Sequence, residues 1–286
     1  MPAGSPFTAL CQAMARGPGH GRADLHLHTT ASDGLYAPRE LVDLGKRCGL
    51  AAIAVTDHDT FAGVAEAQAA ARGSPLEVVA GVELSCWWRG RDLHLLAWFA
   101  DPDHPALAEA LRCVLKRRQE RFAATLERLR RLRVSVQEEE RPPASLGRRY
   151  LAELLVAQGH AESVREAFSR WLGSKGEAFV PWQGLPVEEA IAAVRAAGGV
   201  AAWAHPPYDA SGEALSALAA MGMQAVETAY PNARPSFAKQ LRLWARHLGL
   251  ATTGGSDCHG PGARGVGSVT ASGEEWAALR AKAGRS

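Results

Sequence analysis

The segment LAAIAVTDHDT, Leu50 to Thr60, decides the architecture. Its first seven residues are apolar or small, with no alternation of polar positions. That is the pattern of a strand buried on both faces. The run then passes directly into Asp57-His58-Asp59, so titratable side chains stand at the carboxyl end of the strand. An alanine-rich stretch over Ala62–Arg72 follows with helical composition. Buried strand, polar tip and helix make one βα unit, the repeat from which parallel sheets are built.

The unit recurs on both sides. Ala23–Leu27 reads as a first strand, and Pro38–Cys48 as a helix opened by proline. Leu76–Val82 and Leu93–Phe99 are further strands. Beyond a break come helix Val187–Ala197, strand Val200–Ala204, helix Gly212–Ala220, strand Gln224–Thr228, helix Ser236–His247 and strand Leu250–Thr253. About seven such strands predict an α/β fold, a mostly parallel, closed or nearly closed β/α barrel. The break has another character. From Pro105 to Leu132, the residues Leu107, Leu111, Val114, Leu115, Phe122, Leu126 and Leu129 recur at helical spacing. Shorter helices follow near Ser145–Ala157 and Ser163–Trp171, the second with the capping-box spacing Ser163-x-x-Glu166. The organisation expected is a discontinuous barrel, 22–100 and 187–272, interrupted by a helical insertion or lid at 101–186 and preceded by an extension, 1–21.

Composition narrows the class. The chain has 286 residues, 47% hydrophobic and 22% charged, which excludes a disordered or collagenous protein. No apolar run approaches the ~18 residues that span a bilayer. The first twenty residues lack the apolar core of a secretory signal. Cys11, Cys48, Cys86, Cys113 and Cys258 are odd in number and form no CxxC pair, against a disulfide framework or a thiolate zinc site. A cytoplasmic protein, with no membrane contact and no obligate protein partner, is the expectation. Net charge is +2, but residues 104–149 carry twelve basic and six acidic side chains, leaving −4 for the rest. Runs such as Lys116-Arg117-Arg118 usually cover a solvated helix face. Arg118, however, lies four residues from both Val114 and Phe122 on the apolar stripe, so it needs an anion beneath it.

Ten histidines are present, and their positions carry the chemistry. Asp24-Leu25-His26-Leu27-His28, Ser32-Asp33-Gly34, Asp57-His58-Asp59, Gly81-Val82-Glu83, His94, Ala204-His205-Pro206 and Asp257-Cys258-His259 nearly all fall at or just past strand ends. In a β/α barrel those ends converge on one face. Imidazole and carboxylate without thiolate suit Mn, Fe or Zn. Seven clusters cannot crowd one ion, so two or three divalent ions bridged by a carboxylate are expected. His20, His104, His160 and His247 stand alone and read as ordinary residues. The other six would require six coincidences at strand ends.

The series DLHLHTTASDG, TDHDT, GVELS, DLHLL, AHP and GSDCHG resembles the PHP (polymerase and histidinol phosphatase) phosphoesterases. It is most similar to their branch of nucleoside 3′,5′-bisphosphate phosphatases and 5′-to-3′ exoribonucleases, over residues 22–262. The resemblance implies a distorted seven-stranded, TIM-like β/α barrel with a trinuclear metal site. His26, His28, Glu83 and Asp257 would hold the first ion. Glu83 would bridge to a second, completed by His94 and His205, while Asp33, His58 and His259 would hold the third. Asp24 and Asp57 would either orient imidazoles or cap loops. A hydroxide bridging two ions would attack phosphorus, with no protein nucleophile and Cys258 only a packing residue. In the insertion, Gly147-Arg148-Arg149-Tyr150 resembles a family motif usually reading Gly-Arg-Pro-His. Arg148 would clamp phosphate, joined by Arg118, with Tyr150 in the place of histidine. Ala204-His205-Pro206-Pro207-Tyr208 lacks the arginine that relatives carry after the proline. Trp87, Trp88, Phe179 and Trp182 would stack a base or fill space between lid and barrel. The substrate implied is a nucleoside bisphosphate or short oligonucleotide. A histidinol-phosphatase-like enzyme and a non-catalytic PHP module associated with nucleic acid are the alternatives.

Overall fold

The computed structural model describes residues 21–138, 142–182 and 184–285. Of the expected N-terminal extension, residues 1–20 therefore lie outside the described residues, with Cys11 and His20. Strands β1 (Ala23–Leu27), β2 (Ala52–Val55), β3 (Glu77–Trp88), β4 (Arg91–Trp98), β6 (Val200–Trp203), β7 (Ala225–Ala229) and β8 (Ala251–Gly254) follow one another around the sheet in the order β1-β2-β3-β4-β6-β7-β8. A two-residue β5, Leu185–Pro186, pairs on β3. The ring nearly closes, because Leu27 bridges Cys258 and Ala23 bridges Ala271. The architecture is the expected β/α barrel, seven strands around, with one departure from the expected parallel order. β4 runs antiparallel to both β3 and β6. Arg89 and Gly90, at φ 47° and 82°, form the tight turn that joins β3 to β4 without a helix. Positive φ at both central residues is what a two-residue hairpin turn requires.

Alternation assigns each strand residue to a face. Val82, Leu84, Cys86, Leu93, Leu95 and Ala97 point outward into one apolar cluster, against helices α6 (Val187–Ala196) and α7 (Gly212–Ala220). The interior is lined by Leu25, Ala52, Ala54, Val79, Leu96, Ala202, Ala225 and Ala251, most of them alanine. Trp98 fills the space these small residues leave and donates its indole N–H to the Leu25 carbonyl at 3.0 Å. The bottom is plugged by Trp276 and Leu279 of helix α9 (Gly273–Lys282). That helix begins just past the expected barrel limit of 272. Its signal was in the sequence, since Ser272 and Glu275 form a reciprocal capping box.

Helix α1 (Pro38–Arg47) covers β2, α2 (Val64–Ala71) packs on β3 and against α1, and α8 (Pro235–His247) packs on β7 and β8. The insertion comprises α3 (Pro105–Arg131), α4 (Arg148–Ala157) and α5 (Val164–Ala167), which runs into a π-turn over Phe168–Leu172. Only half of α3 belongs to a lid. Leu107, Leu111 and Val114 lie in the outer barrel cluster, whereas Phe122, Leu126 and Leu129 join Leu151, Leu155 and Trp171 in a separate core. The expected Ser163 box is half formed: its hydroxyl accepts from the Glu166 amide, but the Glu166 carboxylate takes the Glu162 amide instead. No helix among the described residues is long and apolar enough to cross a membrane.

Candidate metal centre and phosphate cavity

Above the alanine layers the inward-facing positions become polar. On β3 the same parity that turns Val79 inward brings in Glu83 and Ser85, and His94 stands directly opposite Ser85 on β4. β1 reaches the site by an irregularity. Ala23 and Leu25 face inward, the register with β2 then shifts between Asp24 and Leu27, and His26 and His28 turn inward while Leu27 joins the outer core. Gly255, past the end of β8, lies against β1; a Cβ there would come within 2.3 Å of the His26 Cβ. Three site residues, Asp59, His205 and Asp257, hold positive φ of 55°, 29° and 48°. Such backbone is costly for these residues and concentrates at functional sites.

Glu83, 1% exposed, is the centre. Its Oε1 lies 2.9 Å from His94 Nδ1 and 2.9 Å from His205 Nε2. Its Oε2 lies 3.2 Å from each of His26 Nε2, His28 Nε2 and His58 Nδ1. Asp257 Oδ1 faces the first two at 3.5 and 3.4 Å. Asp33 gathers the rest, 3.4 Å from His259 Nε2 and 3.8 Å from both His58 Nε2 and His28 Nδ1. All nine residues singled out in the sequence thus meet around one cleft. Their partition is less exclusive than expected. Ligand-type groupings are His26, His28 and Glu83; His58, Glu83 and His94; and His28, Asp33, His58 and His259. His28 and His58 each belong to two of them.

The donor atoms fit metal ions. His26 Nε2, both ring nitrogens of His28, His58 Nδ1 and Glu83 Oε2 are buried without a hydrogen-bond partner, although they crowd one another. Orphaned lone pairs at this density are anomalous in a buried site. With bonds of about 2.1 Å, neighbouring ligands around one ion lie about 3.0–3.4 Å apart, close to the separations found. Electrostatics agree. Burial alone would raise the carboxyl groups of Glu83 and Asp33, yet the imidazoles around them hold both well below the ordinary range. Burial opposes the His28 cation, but Asp257, Glu83 and Asp33 push it up to about 10. The cluster is built for positive charge.

Asp24 and Asp57 take the loop-capping alternative. Burial raises Asp24 to about 6, and it accepts the amides of Ser256 at 2.9 Å and Gly267 at 2.8 Å. Asp57 accepts the Thr29 amide and hydroxyl, both at 2.7 Å, and the Ser32 hydroxyl at 2.6 Å. The residue that orients imidazole is Glu227 on β7, which the sequence reading missed. Fully buried, it lies 3.2 Å from His26 Nδ1 and accepts the His205 amide at 2.7 Å. An acid within the strand Gln224–Thr228, next to Ala225 and Val226, was the available signal. Glu227→Gln should weaken metal binding about 10–100-fold while leaving secondary structure intact. Titration of metal-free protein against a fluorescent chelator measures this, and unchanged affinity would deny the role.

A cavity of about 160 Å³ opens between this face and the lid. Asp33, His58, Ser85, Asp92 and His94 line it from the barrel, and Arg118, Arg121, Arg148, Arg149, Phe168 and Trp182 from the other side. The three sequence-derived substrate contacts are not equivalent. Arg148 lines the cavity, 3.4 Å from Asp92. Arg118 does meet an anion, but a protein one, Asp59. Tyr150 is corrected outright: one helical step beyond Arg149 it turns into the lid core and stacks on Phe122 at 6.0 Å. Arg121, not singled out in the sequence, lines the cavity, with burial drawing its guanidinium down to about 10. Trp182 walls the cavity beneath Arg118 and Arg121, while Trp88 packs in the barrel core against Trp203. Cys258 is the buried packing residue expected. His104 caps α3 and His160 meets the Ser135 carbonyl at 2.8 Å, ordinary roles for both.

Comparison with known proteins adds independent information. The PHP domain family profile matches residues 24–172. A 5′-3′ exoribonuclease of Haemophilus influenzae is 33% identical over 83% of this chain and 90% of its own length. A 3′,5′-nucleoside bisphosphate phosphatase of Chromobacterium violaceum is 31% identical over 85% and 88%. A solved structure from Bifidobacterium adolescentis, assigned provisionally to the metal-dependent phosphoesterases, superimposes with a TM-score of 0.83. It is 30% identical and covers 93% of this chain and 98% of its own.

Proposed function

The chain belongs to the PHP-domain family, and from that premise we propose that it is a metal-dependent phosphoesterase acting on small nucleotides. Nucleoside 3′,5′-bisphosphates are the substrates that fit best, with 5′-to-3′ trimming of short RNA as a related activity. One observation carries this reading: a single cavity has Asp33, His58 and His94 on one wall and Arg121, Arg148 and Arg149 on the other. A monophosphate needs only the first wall. The second is suited to another anion on the same molecule, because guanidinium groups bind phosphate oxygens in pairs.

His26, His28, Glu83 and Asp257, then His94 and His205, then Asp33, His58 and His259 would hold divalent ions. A nitrogen and oxygen donor set without sulfur suits Mn, Fe or Zn. Such ions supply Lewis acidity, making water nucleophilic at neutral pH and neutralising phosphoryl charge. The chain contributes position. Glu83 spans two donor groups with its two oxygens, Glu227 fixes His26 and His205, and the lid arginines hold the far end of the substrate. No side-chain nucleophile is required: the Ser85 hydroxyl is engaged by Arg118, the Ser32 hydroxyl by Asp57, and Cys258 is packed in the core.

With Mn²⁺, 3′-phosphoadenosine 5′-phosphate should release phosphate far faster than AMP. Equal rates on the two would remove the bisphosphate reading. A short 5′-phosphorylated RNA should yield mononucleotides from its 5′ end, and their absence would remove the exonuclease reading alone.

A further inference from the structure

Arg118 sits where α3 passes from the barrel to the lid, between Val114 of one apolar cluster and Phe122 of the other. Its Nε donates to Asp59 Oδ2, its Nη2 to the Ser85 hydroxyl, and its Nη1 to the Leu146 carbonyl at 3.4 Å. One guanidinium therefore ties together the loop after β2, strand β3, and the segment that leads into α4 with Arg148 and Arg149. Asp59 is itself anchored: it is fully buried, its Oδ1 takes the Ser85 amide at 2.7 Å, and its own amide donates to the Glu83 carbonyl at 3.0 Å. The anion beneath Arg118 is thus rigidly fixed between His58 and Glu83.

We propose that Arg118 is a positioning residue, a latch that registers the lid on the barrel through Asp59 and Ser85 and so sets where Arg121 and Arg148 stand over the metal face. Three reasons support a latch over a phosphate contact. Its donors are directed at protein oxygens, so a phosphate would have to displace a buried carboxylate from it. Buried ion pairs contribute little net stability, and their best-attested use is to fix register. Arg121, three residues further along α3 and therefore one turn away, keeps Nη2 buried without a partner. A small rotation of α3 at Arg118 would carry that group out of the cavity.

This inference rests on the proposed bisphosphate reading for its kinetic arm and is independent of it for its structural arm. Asp59→Asn, Arg118→Met and the double variant are compared with the parent protein in the metal-loaded state. For a latch, each single change raises KM for 3′-phosphoadenosine 5′-phosphate about tenfold, more than it lowers kcat. The double variant is then no worse than the poorer single one, because both break one device. Metal content stays at the parent value, and amide exchange over 142–157 becomes faster. If Asp59→Asn leaves KM unchanged or lowers it while Arg118→Met raises it, Arg118 is a phosphate ligand and the latch is wrong. Unchanged exchange over 142–157 in both single variants also overturns it. Should the parent fail to act on the bisphosphate at all, the proposed substrate falls, but the exchange comparison still decides the latch. Arg118→Lys guards against misfolding: it keeps the charge near Asp59 and loses the fork, so exchange should be intermediate.

Discussion

Glu83→Gln should lower phosphate release by about three orders of magnitude or more, and purified protein should carry less metal than the parent. Five imidazoles converge on this one carboxylate, two on Oε1 and three on Oε2. Glutamine preserves shape but removes the charge, and whichever end becomes the amide must aim its hydrogens at ring nitrogens that present lone pairs to a cation. The two donor groupings that share Glu83 would lose their common member together. Lewis-acid stabilisation is worth several kcal/mol, and each 1.36 kcal/mol is tenfold in rate, which gives the magnitude. The fold should survive. β3 keeps its hydrogen bonds to β2 and β4, and its outward residues Val82, Leu84 and Cys86 stay packed under the helices. Elemental analysis, circular dichroism and phosphate release measured on one preparation test all three statements. Full metal content with near-parental turnover would remove Glu83 from the bridging position.

The sequence carried the strands and their polar tips because both are local. A continuous apolar run such as Leu50–Thr56 needs no partner to be recognised, and side chains at its end go wherever the barrel puts strand ends. What stayed hidden depends on partners distant in the chain. The reversal of β4 is marked only by Arg89-Gly90, since its apolar content suits either direction. The inward turn of His26 and His28 arises from a register shift against β2, which no pattern within β1 announces. Glu227 read as a strand residue because its two contacts, His26 and the His205 amide, are 201 and 22 residues away. Charge counting located a basic lid but not the use of its arginines. Arg117 and Arg128 donate to the carbonyls of Gly184 and Phe179, strapping down the return to the barrel. Arg112, Lys116, Arg130 and Arg131 pair with Glu109, Glu120 and Glu127 on their own helix. The segment keeps its net positive charge, but most of these side chains are committed to protein partners, so selectivity must come from the few guanidinium groups that reach the cavity.

Those groups set the second large effect. Replacing Arg121 and Arg148 together by methionine should reduce kcat/KM for a nucleoside 3′,5′-bisphosphate by about 10²–10⁴, and that for AMP far less. Burial lowers both guanidinium groups, Arg121 to about 10, so each remains charged at neutral pH but is held at a cost. Arg148 is partly compensated by Asp92, 3.4 Å away. Among the described residues Arg121 has no carboxylate within ion-pair distance; it meets the Val180 carbonyl at 2.9 Å and the faces of Phe179 and Trp182. A cation desolvated without a counter-ion destabilises the empty protein, and an incoming phosphate relieves it. Hydrogen bonds to charged groups contribute about 1.5–3 kcal/mol each, or roughly 10–100-fold apiece, which gives the range for two. The same reasoning fixes the sign of a second readout. Arg121→Met alone should raise the Tm of the ligand-free protein by a few degrees while weakening bisphosphate binding, the opposite of a simple packing defect. A double variant that keeps the parental ratio of bisphosphate to AMP turnover would mean that the second phosphate is held elsewhere. A fall in Tm for Arg121→Met would mean that this guanidinium supports the lid, and that Arg148 alone faces the substrate.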